Sequence, residues 1–163
     1  MKIKMQSLLS LTLLAAIGTN LAVAGDQSYT FSQAYKDECA SCHIAYPPGL
    51  LSSASWRSVM AGLDRHFGSD ASLDAAKAAE ISRFLEANSA RKQKYESVDG
   101  KGQPVLRITE GSWFQREHRD GSHGITSGVW KLASVKSPAN CAACHQGAEK
   151  GIYSEREIRI PRS

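Results

Sequence analysis

All four cysteines and two of the five histidines of this 163-residue chain fall into two copies of one short pattern, Cys39-Ala40-Ser41-Cys42-His43 and Cys141-Ala142-Ala143-Cys144-His145. Three chemistries use a Cys-x-x-Cys pair: a disulfide, a structural zinc site, and covalent attachment of haem through two thioethers. The adjacent histidine decides between them, because Cys-x-x-Cys-His is the c-type haem attachment pattern. With histidine at 5 of 163 residues, two such adjacencies arise from composition alone on the order of once in a thousand chains. The spacing has a geometric reason. Two cysteines three residues apart lie on one side of a helical turn and reach the two vinyl groups of one porphyrin, while the next residue brings its imidazole to the iron. A four-cysteine zinc site would have to close the long stretch between Cys42 and Cys141, and would leave both histidines without a purpose. A redox-active disulfide would call for a thioredoxin-like βαβ pattern, which neither pair has.

Two haem irons have four axial positions, and His43 and His145 fill two of them. After removal of the N-terminal segment described below, the remaining candidates are His66, His118, His123 and Met60. At most one iron can therefore be His/Met. His66 closes a segment that reads as one helix from a cap near Ser53 to Gly68, with Trp56, Val59, Met60, Leu63 and Phe67 as its apolar stripe and His66 at the stripe's edge. Met60 completes that stripe and reads as core. His118 ends the segment from Gly111, where Ser112 and Gln115 suit a capping box and Trp113 and Phe114 share its face. His123 sits in Asp120-Gly121-Ser122-His123-Gly124, a turn-rich loop, and ranks behind His118. No histidine or methionine follows His145; Lys150 and Tyr153 are possible in principle, but a histidine is the better ligand. The expected ligands are His43 with His66 for the first iron and His118 with His145 for the second, with a crossed pairing still open. Two histidines per iron leave no open position, so the expected role is electron transfer at low potential and not catalysis. The rival is a small haem enzyme or gas-binding protein in which one distal ligand is open or labile.

The elements that hold these residues read as short helices. Thr30-Phe31-Ser32-Gln33 resembles a capping box opening a helix that carries Tyr35 into the first motif. Asp70 or Ser72 caps a further helix to about Asn88, whose Leu73, Ile81, Phe84 and Leu85 can close over the first haem. From Ser89 to Pro104 the chain is a polar connector. Trp130 and Leu132 anchor the second half, and Ser137-Pro138 suits a cap and first turn before Cys141. Val105 to Ile108 and Ile158 to Ile160 alternate briefly and could pair, but are too short to set the class. The expectation is an all-α, loop-rich cytochrome, with an N-terminal haem segment over 25–95, a C-terminal one over 96–163, and porphyrins supplying much of the buried surface.

Residues 1–24 carry Lys2 and Lys4, an apolar run from Leu8 to Ile17 and Ala22-Val23-Ala24, which reads as a cleavable secretory signal. Its removal takes 20 basic residues down to 18 against 16 acidic ones. No nucleic-acid partner is implied, and no second long apolar segment suggests a membrane span. Locally basic stretches remain at Arg91 to Lys94 and at Arg156, Arg159 and Arg162, as candidate docking patches or as ordinary solvated surface.

Beyond the bare motifs, the run Glu38 to Leu51 with Tyr46-Pro47-Pro48-Gly49-Leu50-Leu51 after the first histidine, Ser55-Trp56, His66-Phe67-Gly68, Trp113-Phe114, Glu117-His118 and the tail Ile158-Arg159-Ile160-Pro161-Arg162 resembles the bacterial dihaem cytochrome c family. The resemblance covers nearly the whole chain after residue 24. It implies a periplasmic electron carrier with two low-potential bis-histidine haems, whose redox partners would include a monohaem oxygen-binding cytochrome c or a membrane cytochrome.

Overall fold

The computed structural model describes residues 27–91, 95–96 and 98–162. The expected signal segment lies outside them, as do Lys92 and Lys94 of the connector. Four short α-helices dominate: α1 (Gln33–Cys39), α2 (Ser53–Met60), α3 (Ala75–Ala87) and α4 (Ser112–Glu117). Short 3-10 turns make up most of the remaining regular structure. Two strands of two residues each, β1 (Gln27–Ser28) and β2 (Ile152–Tyr153), pair antiparallel and join the two ends of the described chain.

Side-chain caps set the helix starts. Ser32 accepts from the Tyr35 amide at 3.2 Å, Ser52 from the Ser55 amide at 3.1 Å, and Asp74 from the Lys77 amide at 3.0 Å, each satisfying a donor the helix cannot. Asp70, expected as a cap for α3, instead closes a turn on the Ser72 amide. α1 stops at Cys39, so the chain unwinds through Cys42 and His43. Pro47 and Pro48 then force a 3-10 turn over Pro48–Leu50, whose Pro48 carbonyl accepts both the Leu51 amide at 3.4 Å and the buried Trp56 indole N–H at 2.7 Å.

The core forms where α1, α2 and α3 meet. Tyr35, Ala45, Leu51, Trp56, Val59, Ile81 and Leu85 are buried together, and Met60, Leu73 and Phe84 pack against them. Ile81 and Leu85 are 0% and 1% exposed, each contributing roughly 1.5–3 kcal/mol of burial. Leu106 and Ile108, which follow the connector, also join this cluster. Beyond residue 111 the buried residues Phe114, Ile125, Val129, Val135 and Ala148 are held by turns, with only α4 as regular helix.

Three local expectations are corrected. The segment from Ser53 to Gly68 is not one helix: α2 ends at Met60, Gly62 adopts φ −123°, and a separate turn over Leu63–Arg65 leads to His66. Phe67 and Gly68 then have φ of 50° and 99°, so Phe67 leaves the stripe and stands 44% exposed. Gly68, without a Cβ, tolerates the left-handed φ that ends the segment. At α4 the N-cap is Gly111, which has no side chain to make a cap bond, and Gln115, expected in a capping box with Ser112, donates to the Thr109 carbonyl instead. Finally, Val105–Ile108 and Ile158–Ile160 do not pair with each other; Ile158 bridges to His145 instead. The β1–β2 junction depends on Gly151, at φ 74°, where a Cβ would fall 2.4 Å from the Tyr29 carbonyl oxygen.

Candidate haem sites

Cys39 is the last residue of α1, and Cys42 and His43 follow in the turn beyond it. Cys141 opens a 3-10 turn to Ala143, which sets Cys144 and His145 at its exit. No disulfide joins any of the four cysteines. Burial pushes the Cys39 and Cys141 thiols up to about 11, the opposite of the lowered value that a thiol–disulfide nucleophile needs. Among the described residues no three His, Cys, Asp or Glu side chains converge as a metal site, so the two pairs do not form a four-cysteine cluster.

The histidines do meet, in pairs. The His43 and His66 rings stand with centroids 6.2 Å apart and planes 27° apart; those of His118 and His145 are also 6.2 Å apart, at 56°. Two imidazoles bound on opposite sides of one metal, with bonds of about 2 Å each, would place their centroids at about 6 Å. Both pairs leave that space. His43 Nδ1 lies 2.7 Å from the Ile44 carbonyl and His118 Nδ1 lies 3.1 Å from that of Phe114. Such a bond fixes the ring and frees the other nitrogen for a metal. Burial lowers the pKa values of His66, His118 and His145, keeping the imidazoles neutral as ligation requires. In addition, the buried Nδ1 of His145 has no hydrogen-bond partner within the protein.

The surroundings are aromatic. Tyr46 stacks on His43 at 4.7 Å, and Phe67 stands edge-on to His66 at 4.8 Å with the Arg107 guanidinium 4.0 Å over its far ring. Phe114 stacks on His118 at 3.9 Å and 8°, with Trp113 and Trp130 at 6.3 and 6.5 Å, and Tyr153 lies 5.1 Å from His145. Next to the second pair, a cleft of about 1070 Å³ opens between the 123–132 loop and the tail, lined by Val129, Leu132, Ile158 and Ile160 together with His123, Glu155, Arg159 and Arg162. None of the four paired histidines lines this cleft, which reaches His145 through Ile158.

The sequence of the dihaem cytochrome c family matches residues 35–153, a span that contains both motifs and both histidine pairs. The chain belongs to the dihaem cytochrome c family. Like other dihaem cytochromes c, it carries two covalently bound c-type haems and serves haem-based electron transfer. It is similar to a dihaem cytochrome c from Rhodobacter sphaeroides, at 37% identity over 77% of this chain and 99% of the other, with a TM-score of 0.67. A dihaem cytochrome c of Shewanella baltica is 36% identical over 79% of this chain and 92% of its own, with a TM-score of 0.64. Curated proteins give no match. The all-α, loop-rich architecture expected from the sequence is that of the family.

Of the remaining sequence candidates, His123 lines the cleft beside the second pair and Tyr153 stands 5.1 Å from His145. His123 faces no second histidine; its Nε2 is 3.4 Å from Glu117. Met60 packs at the edge of the core, and Lys150 is exposed. Reading the sequence missed Tyr46, Phe67 and Arg107 as neighbours of the first pair, and weighed Tyr153 only as a possible ligand where it stands as a ring neighbour of His145. Tyr46 had a visible signal, standing three residues after His43. Arg107 had none, because its position depends on the long-range return of the chain after the connector.

Proposed function

We propose that this protein is an exported, periplasmic electron carrier in which Cys39 and Cys42 hold one haem and Cys141 and Cys144 the other, with His43/His66 and His118/His145 as axial pairs. The observation that carries this reading is the repeated 6.2 Å ring separation in two histidine pairs, each including the histidine of one attachment motif. The haem supplies an iron that cycles between ferric and ferrous; the protein supplies two neutral imidazoles per iron and apolar walls. A neutral imidazole pair stabilises ferric iron more than a His/Met pair does, which favours low potentials. Exchange of electrons with other redox proteins is the function that such closed sites support. The partners would be a monohaem cytochrome or a membrane cytochrome, and Arg156, Arg159 and Arg162 offer a basic docking patch. Among the described residues no helix is long and apolar enough to cross a membrane.

The test is spectroscopic. Electron paramagnetic resonance of the oxidised protein should give two low-spin bis-histidine signals, and the reduced protein should not take up carbon monoxide. A high-spin signal or rapid carbon monoxide binding would overturn the closed-site reading and favour an enzyme or gas binder.

A further inference from the structure

Tyr46 touches both haem segments. Its ring stacks on His43, with centroids 4.7 Å and planes 24° apart. Its hydroxyl donates to the Ala139 carbonyl at 3.0 Å, across 93 residues of sequence and two residues before Cys141. Little freedom is left in this side chain. Pro47 restricts the Tyr46 backbone to extended geometry, and the Tyr46 carbonyl accepts the hydroxyl of Tyr35, which is 3% exposed and sits in the core. At the far end, the Ala139 carbonyl also accepts the Cys141 amide at 3.0 Å, and Asn140 donates to the Val135 carbonyl at 3.0 Å. A rigid tyrosine thus runs from the core, past the proximal histidine of the first motif, to the backbone that opens the second.

We propose that Tyr46 is a positioning residue that fixes the orientation of the His43 imidazole and ties the first histidine pair to the turn carrying Cys141, so that the two centres keep one spacing. This inference rests on the axial assignment proposed above. The ring and the hydroxyl have separable duties. The ring restricts rotation of His43, since a stacked aromatic face resists tilting of its neighbour. The hydroxyl adds one ordinary hydrogen bond between segments.

Two variants of the holoprotein separate these duties. Tyr46→Phe keeps the ring and removes the donor: amide hydrogen exchange over residues 139–144 should quicken roughly fivefold, the weight of one such bond, while both low-spin signals keep their g-values. Tyr46→Leu removes both: the same exchange quickens and, in addition, the g-values of one of the two signals move while the other stays. The wild-type spectrum tests the axial assignment, so its failure is distinct from failure here. Unchanged g-values in Tyr46→Leu, or unchanged exchange over 139–144 in Tyr46→Phe, would overturn the proposal. So would equal displacement of both signals, which indicates general loosening.

Discussion

The two histidine pairs share one ring separation, 6.2 Å, yet they are held by different means. The first pair stands against a helical core: His43 follows α1, His66 follows α2 by one turn, and α3 closes behind them. Its own surroundings are open. The polypeptide leaves His43 and Phe67 exposed, and the exposed cation Arg107 stands over Phe67. The second pair has little regular structure around it, only the six-residue α4 and 3-10 turns. Its support is a cage of side chains: Phe114 on His118, with Trp113, Trp130 and Tyr153 around the rings. The first site thus has helices behind it, with Tyr46 and Phe67 as its ring contacts, while the second rests on aromatic packing with little helix to support it. The lesson is that a Cys-x-x-Cys-His motif specifies attachment and one ligand but leaves the means of holding the opposite ligand to the rest of the chain.

Removing a distal histidine should break the comparison most completely. His66→Ala and His118→Ala should each convert one low-spin iron to a form that binds carbon monoxide, leaving the other low-spin. His66→Met should raise one potential by a sizeable part of the roughly 0.8 V range that axial ligation spans. Carbon monoxide difference spectra of the two alanine variants and redox titration of His66→Met, each against wild type, check these statements, and a His118→Ala protein that stays fully low-spin would show that His123 or another group substitutes.

Packing changes should act differently at the two sites. Leu85→Ala leaves a cavity in the core behind the first pair and should cost about 2–5 kcal/mol in denaturant unfolding of the holoprotein, with both haem spectra unchanged. Phe114→Ala should cost about 3–5 kcal/mol and should also alter the second low-spin signal, because the ring it removes lies 3.9 Å from that of His118. If both variants disturbed one spectrum equally, the contrast between a helix-backed site and one resting on aromatic packing would fail.

Much of this was readable from residue order, and the reasons for the rest are physical. The attachment motifs, and His66 and His118 as the residues that face them, follow from ligand counting and from helical periodicity over a few residues. The helix over α3 was legible because Ile81, Phe84 and Leu85 repeat at helical spacing, although its cap at Asp74 lay hidden behind two other cap-competent residues, Asp70 and Ser72. The break after Met60 was not legible, since Leu63 and Phe67 continue the apolar period through Gly62 and only tertiary packing decides against it. The strand pair β1–β2 was missed for a similar reason: two residues on each side carry no pattern, and their pairing depends on Gly151 admitting the Tyr29 backbone. The neighbours brought by chain return, Arg107 beside His66 and Tyr46 beside Ala139, lie beyond any local signal.

The smallest effect is expected at Arg107, and it sharpens the contrast in electrostatic terms. Its guanidinium lies over Phe67, and its positive charge also bears on His66 and Tyr46. A positive charge near an iron favours the ferrous form, which carries one charge less, so Arg107→Gln should lower the first potential by on the order of tens of millivolts and leave the second where it is. Because Arg107 is exposed, added salt should shrink the difference between variant and wild type as the Debye length falls. Potentiometry at low and high ionic strength reads both effects. A shift of equal size at both haems would mean that Arg107 acts through the net charge of the molecule and not through its place beside His66.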